Sequence, residues 1–222
     1  MKRLHLLFTG IILLVLSTIV KADEGEFVSL FNGKDLTGWH HTDGATVETE
    51  NITGYVVDDG IVRCDKGGKF LYTPEKYKNF VFKLEYRLPP AGNNGVGIRA
   101  NVPGNPAFDG MEIQLLDDTA EVYKTLEDYQ YNGSVYGILP AKTGHLKPQG
   151  EWNEMEITAI GSKIKVVLNG ETIVDGDIKE ATKDGNPDKR EHHGLHNAFG
   201  HIVLCGHGDP VEFRGMAVKV LD

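Results

Sequence analysis

The 222-residue sequence predicts an all-β fold, arranged as a two-sheet antiparallel β-sandwich. The first observation is a succession of short runs, from Phe27 onward, in which apolar and polar residues alternate. The second is a set of turn dipeptides between those runs, such as Asn132-Gly133 and Asn169-Gly170. The sequence has no long helical pattern, internal repeat or linker, which favours one domain over 23–222.

Four runs carry the clearest alternation. One set of side chains in each is expected to face the core: Phe80, Phe82, Leu84 and Tyr86; Val96 and Ile98; Met155, Ile157 and Ala159; Ile164, Val166 and Leu168. The last run ends at Asn169-Gly170, which predicts a hairpin with a type I′ turn. Further strands are expected over 202–206 and 211–220. Helix is expected only in short pieces at 74–77 and 119–129, and 179–199 is expected to be one long surface loop.

Residues 1–22 are expected to be a secretory signal peptide. Lys2 and Arg3 precede an apolar run over 4–20, and Val20-Lys21-Ala22 offers small residues at the −3 and −1 positions of a cleavage site. This pattern predicts a periplasmic or secreted protein that has no membrane attachment after cleavage. A retained anchor is the alternative, because the apolar run is near the lower limit for spanning a bilayer.

The net charge and the cysteines limit the partners. The formal charge is −9, and loss of the signal peptide with its three cations brings it to −12. An acidic chain without a basic patch is a poor binder of nucleic acid, so no nucleic-acid partner is expected. Cys64 and Cys205 could pair in an oxidising compartment or remain two buried thiols, and the sequence sets no oligomeric state.

The strand predicted over 111–118 carries the main candidate residues. Glu112 and Gln114 share one face, while Met111, Ile113 and Leu115 share the other. A carboxylate beside a carboxamide is a typical way for a sheet to present hydrogen-bonding groups to a sugar. By the same alternation, Glu85, Arg87 and Arg99 are expected to point outward with Glu112 and Gln114.

Each of these candidates has a structural alternative. Arg99 can donate two hydrogen bonds to vicinal oxygens, or it can form a cross-strand ion pair with Glu85 or Glu112. Asp117 can end the strand through an Asx turn, or it can act as an acid, a base or a metal ligand. His207, which has glycines on both sides, suits proton transfer but can also cap a turn.

Other chemistry-bearing residues are assigned less specific roles. His192, His193 and His196 have helix-like zinc-ligand spacing but lie in the predicted loop, so a solvated loop is the default. Trp39 and Trp152 could stack on a sugar or pack in the fold, and packing is favoured for Trp152 because it enters a strand.

Five motifs in a fixed order resemble one known family. They are LFNGKDLTGW over 30–39, NNGVGIR over 93–99, EIQLLD over 112–117, GEWN over 150–153, and GHIVL followed by HGDPVEFR over 200–214. This pattern resembles the 3-keto-disaccharide hydrolase domain family over nearly the whole of 27–221. The resemblance implies a concanavalin-like jelly roll that is secreted or periplasmic and breaks glycosides already oxidised at C3.

The resemblance also implies roles for the candidate residues. Glu112 or Asp117 would be the base or a metal ligand, Arg99 the clamp on the oxyanion, and His207 an acid, a base or a ligand. The expected substrate contacts are Gln114, Glu85, Asn93 and Tyr136. The resemblance assigns no definite cofactor, and a divalent metal ion is the one considered, as a stabiliser of the enolate oxygens.

One departure from the family pattern concerns Cys205, which stands where the family tends to have Gln. This departure would have one of two consequences, either a missing substrate contact or a disulfide to Cys64 at the rim of the site.

Two other functions compete with the family reading. A retaining glycosidase of the laminarinase type carries Glu-x-Asp-x-x-Glu, whereas this chain has Glu112-x-Gln114-x-x-Asp117. Two carboxyl groups about 5–5.5 Å apart are needed for that mechanism, and residues of unlike parity share a face only across a β-bulge. A non-catalytic carbohydrate-binding module would instead display a strip of aromatic residues.

Overall fold

A computed structural model describes residues 25–48 and 52–221, and it shows two antiparallel sheets. The expected signal peptide lies outside the described residues. The larger sheet has eight strands: β1 (Val28–Ser29), β2 (Tyr55–Asp58), β3 (Ile61–Cys64), β5 (Asn79–Arg87), β8 (Asn153–Ile160), β9 (Lys163–Leu168), β10 (Glu171–Asp177) and β12 (Glu212–Leu221). Their order is β10-β9-β8-β5-β12-β3-β2, with β1 also paired to β12.

The smaller sheet has four strands: β4 (Leu71–Tyr77), β6 (Asn93–Ala100), β7 (Met111–Leu116) and β11 (Gly200–Cys205). Their order is β4-β11-β6-β7, so β7 lies beside β6. Two short helices, α1 (Pro106–Asp109) and α2 (Ile178–Ala181), and two 3₁₀ turns, Glu121–Tyr123 and Asp128–Gln130, complete the described elements. The predicted all-β sandwich is confirmed. None of the helices in the described part of the chain is long and apolar enough to cross a membrane.

The inner faces of the two sheets form the main core, and the predicted alternation is confirmed there. The apolar sets of β5, β6, β8 and β9 are all buried: Phe80, Phe82, Leu84, Tyr86, Val96, Ile98, Met155, Ile157, Ala159, Ile164, Val166 and Leu168. Trp39 is also a core residue, at 3% exposure. Burial of such side chains contributes about 1.5–3 kcal/mol each, which fixes which face of each strand turns inward.

The outer face of the smaller sheet has a second, smaller apolar cluster. Tyr72, Val203, Cys205 and Ala100 pack together there, and the Tyr72 hydroxyl donates to the Gly104 carbonyl at 2.6 Å. This bond holds the β6–α1 connection over part of the sheet. The rest of that outer face carries Glu112 and Gln114.

The helix predicted at 74–77 is wrong, because these residues belong to β4. Pro74 is tolerated because β4 is the edge strand of its sheet and because the register shifts in this part of its ladder with β11. The piece predicted at 119–129 contains the first 3₁₀ turn and the first two residues of the second, rather than an α-helix. The loop predicted at 179–199 opens with the last three residues of α2 and then continues without helix or strand to β11.

The predicted hairpin joins β9 and β10 through the two residues Asn169 and Gly170. Both have positive φ, 51° and 89°, as a type I′ turn requires. The Asn169 side chain also accepts from the Glu154 backbone N–H at 2.9 Å and donates to the His145 carbonyl at 2.8 Å. The turn is therefore held by its neighbours as well as by its own backbone.

Gly170→Ala should lower the free energy of unfolding by about 1 kcal/mol, since the added Cβ meets no atom but must adopt a left-handed φ. Chemical denaturation of both proteins measures this difference. Glu171→Ala, at an exposed extended position next in sequence, is the control and should stay within about 0.5 kcal/mol. An unchanged midpoint for Gly170→Ala would contradict the turn assignment.

Candidate active site

A carboxylate and an imidazole meet on the outer face of the smaller sheet. Glu112 Oε1, from β7, lies 3.2 Å from His207 Nε2, in the connection between β11 and β12. The Glu112 side chain is 6% exposed, whereas that of His207 is 36% exposed. The pair, here called the Glu112–His207 dyad, therefore has one buried member and one that reaches solvent.

Two glycines in β6, Gly95 and Gly97, leave space beside the dyad. The register pairs Gly97 with Glu112 and Gly95 with Gln114. A Cβ at Gly95 would collide with the Glu112 carboxylate, so this carboxylate lies across the strand where a side chain would otherwise stand. A Cβ at Gly97 would instead meet Pro106 at 2.6 Å. Glycine at both positions lets the Glu112 side chain and the start of α1 lie close to β6.

The glycines on either side of His207 act in different ways. A Cβ at Gly206 would lie 2.5 Å from the backbone of Gly68, so the chain passes close to the turn after β3. Gly208 has φ +91°, a left-handed conformation that suits glycine. Both glycines belong to the connection that brings His207 to Glu112 on β7.

The contact between the two side chains shifts the pKa of His207. The hydrogen bond to Glu112 raises the pKa of His207, and burial opposes this effect in part. Burial raises the pKa of the Cys205 thiol well above its usual range, and the nearby Glu112 carboxylate adds to the effect. Cys205 is thus held as a neutral thiol. Both cysteines are free and buried, so the alternative of a disulfide to Cys64 is excluded.

Gln114 and Asn93 lie next to each other along the same face. Gln114 Nε2 donates to Asn93 Oδ1 at 2.8 Å, and the Asn93 backbone N–H donates to Asp209 Oδ2 at 2.9 Å. Gln114 is 5% exposed, whereas Asn93 is half-buried. The amide pair extends the polar surface from the dyad toward the connection that carries His207.

Tyr136 borders the dyad on the other side of β7. Its backbone N–H donates to the Glu112 carbonyl at 2.9 Å, and Ile113 pairs with Val135, so Tyr136 lies on the face of Glu112. Gln130 Nε2 donates to the Tyr136 hydroxyl at 3.1 Å, while Gln130 Oε1 accepts from the Glu127 backbone. The hydroxyl proton of Tyr136 can therefore be directed at a ligand.

Asp117 ends the strand through an Asx turn, which is the structural role considered for it from the sequence. Its carboxylate accepts from the Ala91 backbone at 2.8 Å, from the Thr119 backbone and hydroxyl at 3.1 and 2.6 Å, and from Gln149 Nε2 at 2.6 Å. Burial would raise its pKa, but these four donors together lower it. Asp117 closes an Asx turn at the end of β7 and joins two connections, so its oxygens are already occupied by the fold.

The expectation that Glu85 and Arg87 share a face with Glu112 is wrong. Both lie on β5, in the larger sheet, and therefore on the opposite outside surface of the sandwich. Glu85 accepts two hydrogen bonds from Arg214, at 2.9 and 2.7 Å, and Arg87 pairs with Glu212. Alternation shows which residues share a face of one strand, but it does not show which sheet that strand joins.

Arg99 is likewise separated from the dyad, because β6 contains a β-bulge. Ala100 pairs with His201 and Gly97 with Val203, so two residues of β6 oppose one residue of β11. Arg99 has φ +49° there, and its guanidinium donates to the Lys78 carbonyl at 2.8 Å and to the Gly161 carbonyl at 2.5 Å. The side chain joins the smaller sheet to the larger one, which corrects its predicted role as an oxyanion clamp.

The histidines at 192–196 do not form a metal site. His192 is buried between the Ala107 carbonyl, at 2.8 Å from Nδ1, and Asp188 Oδ2, at 2.9 Å from Nε2. His193 and His196 are exposed. Over 25–48 and 52–221, no three His, Cys, Asp or Glu side chains come together in a group that could hold a metal ion.

Trp152 lies on the outside of the larger sheet, where the guanidinium carbons of Arg87 and Arg214 are 4.7 and 4.1 Å from its ring centre. It packs at the surface of the fold, as favoured from the sequence.

Three contributors to the site were not predicted from the sequence. They are Asp209, which holds the Asn93 backbone, Gln130, which orients Tyr136, and Gly95, which makes room for the carboxylate. The Gly95-x-Gly97 alternation was visible in the sequence and was a usable signal for a close approach. The other two depend on connections whose path the sequence does not specify.

The sequence and the fold of this chain are similar to those of known proteins. Residues 26–219 match the family described as the 3-keto-alpha-glucoside-1,2-lyase-like domain. The chain belongs to this family. A 3-keto-disaccharide hydrolase from Bacteroides thetaiotaomicron is a relative at 25% identity over 236 residues, which covers 90% of this chain and 80% of the relative.

Solved structures agree with the family in their fold. A candidate glycosyl hydrolase from Parabacteroides distasonis has a TM-score of 0.75 and 28% identity, over 88% of this chain and all of that chain. A Bacillus subtilis protein with a galectin-like fold has a TM-score of 0.52 at 11% identity, over 74% of this chain and 84% of that chain, which shows the fold alone. The predicted jelly-roll architecture is therefore confirmed.

The paired aspartates at the end of β7 predict opposite effects of pH. Burial raises the pKa of Asp118 to about 6, the charge of Asp117 adds to it, and a hydrogen bond from the Asn132 backbone opposes it. The folded state thus binds an extra proton between about pH 4 and 6, and stability falls as pH rises through that window.

Asp118→Asn should therefore gain stability relative to the parent between pH 4 and pH 7, since Asn keeps the acceptor for Asn132 and cannot ionise. Asp117→Asn, whose parent carboxyl has a lowered pKa, should lose stability relative to the parent in a lower window, as pH rises through the range below about 4. Urea unfolding across each window measures the differences, and changes of the same sign in the two variants would contradict the assignment.

Proposed function

We propose that this protein is a carbohydrate-active enzyme that cleaves 3-keto-disaccharides, with the Glu112–His207 dyad as its proton-transfer group. The observation that carries the proposal is the 3.2 Å contact between a buried carboxylate and a half-exposed imidazole on the polar outer face of the smaller sheet. Membership of the 3-keto-alpha-glucoside-1,2-lyase-like family and the name of the Bacteroides relative support the substrate class.

The chemistry follows from the ketone. A carbonyl at C3 acidifies the proton on C2, so a base can remove this proton and leave an enediolate. The enediolate then expels the substituent at C1, whose oxygen takes up a proton. Water next adds across the resulting double bond, with hydroxyl at C1 and hydrogen at C2, and the sum is hydrolysis of the glycosidic bond.

The exposure of the two dyad members suggests their roles. His207 reaches solvent and accepts the C2 proton, while the Glu112 carboxylate orients the ring and stabilises the imidazolium that forms. The same imidazolium then donates its proton to the departing C1 oxygen. Because the hydrogen bond to Glu112 raises the pKa of His207, the neutral ring is a stronger base than an ordinary histidine.

Tyr136 and Gln114 are the proposed hydrogen-bonding groups for the substrate. Tyr136 lies opposite Glu112 across the ladder, and its hydroxyl accepts from Gln130, so its proton can stabilise an enediolate oxygen. Gln114 and Asn93 form hydrogen bonds with the hydroxyl groups of the sugar on the other side of the dyad.

A divalent metal ion, considered from the sequence, finds only two of the usual side-chain ligands in the dyad. The described residues supply no third His, Cys, Asp or Glu in the same group, so no step is assigned to a metal. Export from the cytoplasm is part of the proposal, and it rests on the signal-peptide pattern at 1–22.

Glu112→Gln should reduce kcat on a 3-keto-disaccharide by about 10²- to 10⁴-fold, the usual contribution of general acid–base catalysis, with an almost unchanged melting temperature. Glu85→Gln is the matched control, because it is the same substitution on the opposite surface and should retain activity. The unoxidised parent disaccharide should not be cleaved. Full activity of Glu112→Gln would remove the dyad from the mechanism, and cleavage of the parent sugar would indicate an ordinary glycosidase.

The dyad also predicts a titration that can be followed without substrate. In an NMR titration of the ring protons, His207 should have a pKa above that of an ordinary histidine, and Glu112→Gln should lower it. His201 is the internal reference: burial lowers its pKa and Glu112 is not among the causes. An unchanged His207 pKa in Glu112→Gln would show that the two side chains do not interact in solution.

A further inference from the structure

A cavity of about 190 Å³ lies apart from the dyad, between the ends of the two sheets. It is bounded by the start of β5, the turn between β8 and β9, α2 and residues 195–198. Its cationic and imidazole residues are Lys78, Arg99, Lys179 and His196. We call it the basic cavity, and neither Glu112 nor His207 lines it.

The charge of the basic cavity is opposite to that of the chain. The protein has a formal charge of −9, yet the cavity is lined by three Lys or Arg residues and by no Asp or Glu. Lys78 and Lys179 are exposed and stand at its rim, while Arg99 is inside. Such an arrangement gives a local positive potential that attracts anions.

Arg99 supplies the second observation, because its positive charge is buried without a carboxylate partner. The residue is 3% exposed, and no ion pair to Arg99 occurs among the described residues. Its hydrogen bonds go to the Lys78 and Gly161 carbonyls and to Asn79 Oδ1, at 2.8, 2.5 and 3.4 Å. All three acceptors are neutral.

The guanidinium has more donors than these contacts use. It carries five N–H groups in a rigid fork, and three of them serve the acceptors named above. A buried charge is costly unless it is paired, and the remaining N–H groups belong to a side chain that lines the cavity. A ligand with two or more anionic oxygens would supply the missing partner.

We infer that the basic cavity binds a small oxyanion, held by Arg99 from inside and by Lys78 and Lys179 at the rim. The ligand chemistry is that of a compact phosphate, sulfate or carboxylate, which can accept from a guanidinium at two oxygens. The ligand can be a free inorganic anion or the carboxylate of an acidic sugar. This site is independent of the proposed catalytic function.

Isothermal titration calorimetry of the whole folded protein tests the inference. Inorganic phosphate, sulfate and glucuronate are titrated separately, with potassium chloride used to keep the ionic strength constant. We expect saturable binding of at least one of these anions with one site per chain. Binding of phosphate or sulfate alone would identify an inorganic anion, and binding of glucuronate alone would identify an acidic sugar.

Two variants separate the cavity from general charge effects. The double change Lys78→Gln and Lys179→Gln removes the rim cations at exposed positions, so it should fold normally and weaken binding by about tenfold or more. The single change Lys83→Gln removes a cation from the outside of the larger sheet and should leave the affinity unchanged. Lack of saturable binding by the parent, or equal weakening in both variants, would overturn the inference.

Discussion

The alternation of β7 between an apolar core face and a polar outer face is the constraint on which the site depends. Met111, Ile113 and Leu115 must enter the core, and their burial leaves Glu112 and Gln114 no other direction than outward. A slip of one residue would turn the carboxylate into the apolar core and move three apolar side chains to the polar outer face. The position of the Glu112 carboxylate is thus fixed by the hydrophobic core beneath it, and the glycines of β6 then determine how closely it lies to the neighbouring strand.

The structure could be predicted from the sequence wherever it depended only on the two faces of a single strand. The inward sets of β5, β8 and β9, the β9–β10 turn and the shared face of Glu112 and Gln114 were all predicted correctly, because each depends on local periodicity. The contact between Glu112 and His207 depends on how β7 and the end of β11 meet in space. Residues 95 positions apart cannot be paired by alternation alone.

The wrong predictions have two physical causes. Glu85 was expected near Glu112 because both point outward, but the two strands belong to different sheets and outward then means opposite directions. Arg99 was expected on the face of Glu112 because it directly follows Ile98, which faces the core. The β-bulge inserts an extra residue into β6 and interrupts this alternation before Ala100. Both residues found structural partners instead, Glu85 with Arg214 and Arg99 with two backbone carbonyls.

The buried thiol of Cys205 makes the outer face of the smaller sheet accessible to a different kind of measurement. Cys205 pairs with Gly95 in the sheet register and is fully shielded from solvent, close to the Glu112 carboxylate. A thiol reagent can reach it only while the surrounding strands are transiently open, so its alkylation rate reports the free energy of that local opening. Cys64, equally shielded but on β3 of the larger sheet, supplies the comparison within the same molecule. The ratio of the two rates compares how readily each sheet opens, without any need to unfold the protein.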